Sequence, residues 1–207
     1  MPVVNGYCSV EDLRQHVNDS EFNTLDTALI ERAINAASRA IDKYCGFPLR
    51  KFWKDVTVTT RLYTPTNRET IWISDLADLT DLVIGTGILY DTVLTSADYQ
   101  LGPANVDQYG GPYAYTKLSV IGSTLFPIDR TGRPTVRITG YHGWSAVPDE
   151  VTQACVIKST SLLKRKDAVF GVAGFGEFGT AVRIRAEDPD VADLLGPFRR
   201  YGAGTTG

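Results

Sequence analysis

The sequence predicts an α+β fold: a small helical bundle from both chain ends, an inserted antiparallel β module and a flexible C-terminal tail. Three observations predict this class. Apolar residues recur at three- and four-residue steps near the N-terminus, apolar and polar residues alternate in the middle of the chain, and a helical pattern returns after Pro148. We expect a helical core at 1–50 and 145–170, a β module at 51–144, and a glycine hinge with a tail at 171–207.

Two helices are predicted before the β module. Ser9 is suited to cap the first, because Glu11 and Asp12 then lie in the first turn, where carboxylates suit the helix dipole. The second runs from about Thr24 to Cys45, and Gly46 ends it. Beside its apolar stripe lies a flank of small side chains that would let a second backbone approach closely: Leu29, Ala36 and Ala40.

The β module is predicted from alternation of period two. In segment 52–63, Phe52, Val56, Val58 and Leu62 share one parity, which predicts a half-buried strand with these side chains inward. Clusters of glycine, proline, asparagine and aspartate separate it from the next patterns, and no long helix intervenes. The spacing predicts an antiparallel sheet or a small barrel, with further strands in 70–74, 115–122 and 134–144.

A long helix is predicted from Pro148 to about Ala168. Its apolar residues point in several directions, which predicts burial on several sides. Part of that burial is expected against a partner subunit, and the residues assigned to it are Val156, Ile157 and Leu163.

The stretch "AGFGEFGTA" contains Gly174, Gly176 and Gly179 in the G-x-G-x-x-G spacing of dinucleotide sites. Such a site needs a strand before the glycines and a helix after them, because the helix N-terminus holds the pyrophosphate. Here a helix precedes and the strand-like "TAVRIR" follows. We therefore predict a mobile hinge rather than a cofactor site, with Phe175 and Phe178 as detachable apolar anchors.

Arginine and aromatic residues alternate near the C-terminus, and two interpretations stay open. One is a solvated tail. The other is a docking arm, because arginine and aromatic side chains are typical interface anchors. The residues concerned are Arg183, Arg185, Phe198, Arg199, Arg200 and Tyr201.

The residues offer little for catalysis or metal binding. Asp75, Asp78 and Asp81 share their spacing with interleaved leucines, so an amphipathic turn with one wet face explains them better than a cation site. His16 and His142 have no ligand-spaced partner, and no nucleophile elbow is present. We expect no catalytic residue, no metal and no cofactor.

Net charge, the length of apolar runs and the cysteine spacing further restrict the class of protein. The net charge of −3 gives no basic excess for gripping nucleic acid, and no apolar run is long enough to span a bilayer. Cys8, Cys45 and Cys155 form no C-x-x-C pair, which favours buried thiols in a reducing compartment.

Three segments resemble the head-to-tail connector (adaptor, or head completion) proteins of long-tailed bacteriophages. "YCSVEDLRQHV" resembles the opening Y-x-T/S-x-E-D-L of that family, and "ALIERAINAASRAIDKYCGFPL" resembles its second helix, which ends in Y-C/T-G. "ITGYHGWSAVPDEVTQACVIKSTSLLKR" resembles a strand ending in Y-x-x-G-W, followed by V-P-x-x-V-x-x-A at the start of the long helix.

The resemblance implies a structural virion protein, not an enzyme. It implies a ring, usually of twelve copies, that sits in the phage neck beneath the portal, joins the DNA-filled head to the tail and carries the DNA exit channel. The implied partners are the portal protein, the next neck or tail-completion protein and further copies of the chain. Genomic DNA would pass through without specific binding, and no membrane is involved. The implied location is the virion neck, with the host cytoplasm during assembly.

In that setting the tail would dock on the portal, with "TAVRIR" adding a strand to its edge. The residues assigned to docking are Phe175, Phe178, Val182, Arg183, Ile184, Arg185, Phe198, Arg199, Arg200 and Tyr201. An alternative from another class is a small-ligand-binding or enzymatic β module on a helical base. Its support is the aromatic-rich "DQYGGPYAY" and the glycine loop.

Overall fold

Helices and antiparallel sheets make up the fold, which is therefore mixed α+β as the sequence predicts. A computed structural model describes residues 2–17, 25–104, 114–167, 172–175, 181–183 and 188–200. Only the backbone is described at 165–167, 172–175 and 181–183.

Contacts divide the chain into two units. The first combines Met1–Phe47 with Pro148–Tyr201, and the second is centred on Pro48–Val147. The predicted borders of the β module, 51 and 144, lie three residues inside this division at either end. Residues 189–198, predicted as part of a tail, belong to the first unit.

The first two helices begin where their caps are satisfied. Helix α1 spans Val10–Val17, and Ser9 Oγ accepts a 3.0 Å hydrogen bond from the Asp12 amide while the Asp12 carboxylate accepts one from the Ser9 amide. Helix α2 spans Thr27–Cys45, three residues later than Thr24, because Asp26 accepts from the Ala28 amide and forms the cap. Gly46, at φ 107°, ends it as predicted.

Helix α3 spans Asp149–Asp167 and forms the centre of the first unit. Helices α1, α2 and the short α4 (Pro189–Leu195) all contact it, and a 3-10 turn at Gly196–Phe198 follows α4. A two-stranded antiparallel pair, β8 (Val172–Phe175) and β9 (Ala181–Arg183), belongs to the same unit. The buried side chains of this unit include Leu13, Ile30, Ile34, Ile41, Val151, Ala154 and Leu195.

The second unit holds two antiparallel sheets. One has the strand order β1–β7–β3–β4 and the other the order β2–β6–β5. The strands are β1 Thr59–Tyr63, β2 Thr70–Leu76, β3 Val83–Thr86, β4 Thr92–Leu94, β5 Tyr99–Gly102, β6 Tyr115–Val120 and β7 Val136–Gly140.

One apolar core joins the inner faces of both sheets. Ile84 lies opposite Ile138 in the first sheet, and Leu118 lies opposite Ile71 and Leu101 in the second. All five belong to a single buried cluster, so the two sheets share one core.

The strand predicted over 52–63 is wrong in extent and in parity. Strand β1 begins only at Thr59, the Val56 side chain is 93% exposed, and Leu62 is exposed as well. The half-buried face carries Thr59, Arg61 and Tyr63 instead. Two of these polar residues have hydrogen-bond partners on the inner side. The Tyr63 hydroxyl lies 2.5 Å from Ser74 Oγ, and Thr59 Oγ1 donates to Asp55 over 2.8 Å.

The amphipathic turn predicted around Asp75 is also wrong. Asp75 and Leu76 are the buried end of β2, whereas Leu79 is exposed. Asp75 is tolerated inside because Trp144 Nε1 donates to it over 2.7 Å and the Arg50 Nε lies 3.3 Å away.

Candidate functional site

The residues assigned to a subunit interface differ in how much surface they keep. Ala36 is exposed, and Leu29, Ala40 and Ile157 are half-buried. Val156 and Leu163 are only 4% and 5% exposed within a single chain. Helices α1, α2 and α4 of the same copy all contact α3, so apolar sides of α3 pack within a single chain. The interface assignment stays a prediction for the four residues that keep surface, whereas Val156 and Leu163 have almost none to offer.

Three of the residues assigned to portal docking pack on their own chain. Phe198 is 9% exposed, the Arg199 guanidinium lies 4.7 Å from the centre of the Tyr44 ring, and the Arg200 amide donates to the Cys45 carbonyl over 2.9 Å. A Cβ on Gly46 would lie 2.5 Å from the Arg200 carbonyl oxygen. Residues 198–200 therefore complete the C-terminal end of α2 and do not form a free arm.

Three further docking residues lie in the β8–β9 pair. Phe175 is paired with Ala181, and Val182 and Arg183 are in β9. Four docking residues lie outside the described residues: Phe178, Ile184, Arg185 and Tyr201. The glycine-loop segment that is predicted to be mobile and the end of the tail lie outside them as well. Gly174 is in β8, so the described elements flanking the motif are two strands. A helix N-terminus for pyrophosphate is not among them.

The outer face of the β1–β7–β3–β4 sheet is apolar over much of its width. Leu62, Arg137, Gly85 and Val93 follow one another across its four strands in register. Tyr90 lies over Gly85, where a Cβ would come within 2.8 Å of the Tyr90 carbonyl oxygen. The Arg137 guanidinium lies 5.2 Å from the centre of the Tyr90 ring.

The turn between β3 and β4 extends this surface. Leu89 is 80% exposed, and Ile88 is exposed beside it. We call the set Leu62, Val83, Ile88, Leu89 and Val93 the outer apolar face. Arg137 and Gly85, which is covered by Tyr90, lie between Leu62 and Val93 in this row, so the exposed apolar side chains flank a polar strip.

A small cleft lies at the edge of the second sheet. It has a volume of about 220 Å³ and is lined by Gln100, Gly102, Lys117 and Ser119 among others. Ligand sites usually enclose roughly 300 Å³ or more. Most of "DQYGGPYAY" lies outside the described residues, so the described part of the cleft gives the ligand-binding alternative little support.

A serine, a histidine and a tyrosine meet in the β module, yet their arrangement is structural. His142 Nδ1 lies 3.4 Å from Ser74 Oγ, which in turn contacts the Tyr63 hydroxyl. Both Ser74 and His142 are buried. Burial, followed by the charge of Arg61, lowers the pKa of His142 to about 4, so the imidazole is neutral. The three side chains therefore form a hydrogen-bonded contact inside the β module.

Two of the three aspartates in the predicted turn are held by protein groups, whereas the third, Asp81, is exposed. Asp75 contacts Trp144 and Arg50, and Asp78 pairs with Lys54. Among the residues described, no cluster of three or more histidine, cysteine or acidic side chains is placed to hold a metal ion. A search of the same residues finds no helix long and apolar enough to cross a membrane.

The chain matches no protein-family model and no curated protein. It is similar to solved structures of one kind of particle. A chain in the neck of an empty gene transfer agent particle, computed with C6 symmetry, superposes with a TM-score of 0.58 at 18% identity. A chain in the neck of the native particle, computed with C12 symmetry, gives 0.54 at 19% identity. A chain in the virion of the native particle gives 0.53 at 19% identity.

Each of these matches covers 99% of this chain and 96% of the other. At this identity the likeness establishes the fold. Over almost its whole length the chain therefore has the fold of a chain from the neck of a gene transfer agent particle.

Proposed function

We propose that this chain is a structural protein of the neck of a phage-like particle, where copies of it form a ring. The observation that carries the proposal is the alignment of 99% of this chain, at TM-scores of 0.58 and 0.54, with chains of necks that were computed with sixfold and twelvefold symmetry. Its second support is chemical: the described residues present apolar surface suited to assembly, and the groups that suggested chemistry are buried or paired. The proposed role is mechanical and not enzymatic.

A closed ring needs two different contact surfaces on each copy, because neighbours meet head to tail. The chain has one candidate on each unit. The first is the outer apolar face of the β module, and the second is the surface of α2 and α3 around Leu29, Ala36, Ala40 and Ile157. Burying the outer apolar face against a neighbour would contribute about 25 cal/mol for each Å² of apolar surface removed from water.

The ring is proposed to lie beneath the portal and to carry the DNA channel between head and tail. The net charge of −3 suits a channel that DNA crosses without adhering to it. Docking on the portal is assigned to the β8–β9 pair with Phe175, Val182 and Arg183, because Phe198, Arg199 and Arg200 are engaged by their own chain.

Light scattering and negative-stain imaging of the full chain, alone and with the cognate portal, test the proposal. We expect rings or a defined complex with the portal. Leu89→Asp with Val93→Asp should prevent ring formation without loss of melting temperature, because both side chains are exposed. The matched control Ser96→Asp, at another exposed position of the same unit, should assemble normally. Monomers at every concentration, with and without portal, would refute the ring.

A further inference from the structure

Two cysteines far apart in sequence lie side by side in the first unit. The Cys8 and Cys155 sulfurs are 3.2 Å apart, although 147 positions separate the residues. A disulfide has a sulfur–sulfur distance of roughly 2.05 Å, so the two atoms need to approach by roughly 1 Å. Cys8 is in the segment before α1, and Cys155 is in the first half of α3.

Hydroxyl groups around Cys155 favour its reactive form. Ser159 Oγ lies 3.9 Å from the Cys155 sulfur and can donate to a thiolate, while Ser38 Oγ lies 3.5 Å from that sulfur and donates to the Ile34 carbonyl. The Cys8 thiol donates to the same sulfur. That contact is the first cause of a lowered pKa at Cys155, and it raises the pKa of Cys8 because the proton stays there.

We propose that Cys8 and Cys155 are an oxidation site and form an intramolecular disulfide with a small-molecule disulfide as the oxidant. Cys8, the sulfur with slight exposure next to the exposed Ser9, passes its proton to the neighbouring Cys155 sulfur as it attacks the oxidant, which forms a mixed disulfide and releases one thiolate. The Cys155 sulfur then attacks Cys8 Sγ and displaces the second thiol. Two protein thiols are oxidised, one small disulfide is reduced, and the two protons end on the released thiols.

The bond would join the two chain ends that build the first unit and close a loop containing the whole β module. A crosslink across so long a loop removes much freedom from the unfolded chain. Thiols stay reduced in a cytoplasm and oxidise outside it. That the chain is part of a particle rests on the proposed function. In such a particle the disulfide would form after the particle leaves the cell and would raise the stability of the folded protein. The formation of the disulfide itself can be tested on the isolated chain.

The test is to incubate the purified full chain with glutathione disulfide, block the remaining thiols in denaturant and map the peptides without reduction. We expect a Cys8–Cys155 peptide and a rise in melting temperature that a dithiol reductant reverses. Cys45→Ser is the matched control, since Cys45 is also buried in this unit, and it should behave as wild type. Cys8→Ser and Cys155→Ser should lack both effects.

Three blockable thiols in wild type after treatment would overturn the proposal, as would a bridge that contains Cys45. If a serine variant folds poorly, the wild-type peptide map still decides, because it needs no substitution. None of these outcomes depends on whether the chain forms rings or binds a portal.

Discussion

Trp144 Nε1 donates a hydrogen bond of 2.7 Å to Asp75 Oδ2, and both side chains are buried in the β module. Arg50 Nε lies 3.3 Å from the same oxygen, with its guanidinium 5.2 Å from the centre of the indole. The Asp75 amide donates to the Leu49 carbonyl, and the Gly143 amide donates to the Asp75 carbonyl. Arg50, Asp75 and Trp144 thus form a clasp that ties the first residues of the module to its last.

Replacing the carboxylate of the clasp should destabilise the protein strongly. Asp75→Ala removes the acceptor of the buried Trp144 indole and the negative partner of the part-buried Arg50, so we expect the free energy of unfolding to fall by about 3–5 kcal/mol. Urea unfolding followed by tryptophan fluorescence measures it. Asp78→Ala is the matched control, since Asp78 pairs with Lys54 near the surface, and it should cost about 1 kcal/mol or less. Equal losses in both variants would contradict the clasp.

Gly143 is predicted to tolerate no side chain. Its φ is 110°, and a Cβ would lie 1.9 Å from the Trp53 carbonyl oxygen. Gly143→Ala should lower the free energy of unfolding by about 3 kcal/mol or more, or prevent folding, because backbone must move. Gly122 also has a positive φ, 70°, but open space around it, so Gly122→Ala should cost only about 1 kcal/mol. The difference between the two variants isolates the clash, and similar midpoints in urea would disprove it.

Stability should decline as the pH falls from about 6.5 to about 4 because His142 stays neutral when folded. Burial lowers its pKa from the ordinary 6.5 to about 4, so in this range the unfolded chain binds a proton that the folded chain does not. The effect amounts to at most about 3 kcal/mol. Urea midpoints across this range should converge for wild type and His142→Gln at acidic pH and differ near neutrality. Parallel curves would show that His142 does not titrate this way.

Phe198 should behave as a core residue. Because it is buried in the first unit, Phe198→Ala should reduce the free energy of unfolding by about 3 kcal/mol. Phe47→Ala, at an exposed phenylalanine of the same unit, should change it little. The melting temperatures of the two variants test this difference. A neutral Phe198→Ala that still weakens portal binding would restore the docking arm predicted from the sequence.

Local signals in the sequence predicted the elements well. The Ser9 cap, the Gly46 stop and the strands at 70–74 and 134–144 follow from hydrogen bonding and side-chain period within a few residues. The period-two pattern at 52–63 did not identify the buried face of the strand, because alternation shows that the two faces differ but not which of them packs inside. Tyr63 and Thr59 face inward, where the Tyr63 hydroxyl contacts Ser74 Oγ and the Thr59 hydroxyl donates to Asp55.

Non-local packing explains what the sequence did not predict. Whether the apolar sides of α3 meet their own chain or a neighbour depends on residues 189–198, which return to pack on α3 after a long separation. The clasp has the same origin: Asp75 was considered with its neighbours in sequence, whereas its partners are Arg50 and Trp144. An aspartate in an otherwise apolar strand, with tryptophan and arginine at the module borders, was the available signal.

Electron cryo-microscopy of particles that contain this chain tests the central claim most directly. The account predicts a ring of copies with this fold at the junction of head and tail, with the outer apolar face covered by a neighbour. Particles whose neck contains no density of this fold, or in which the chain occurs away from the junction, would contradict it.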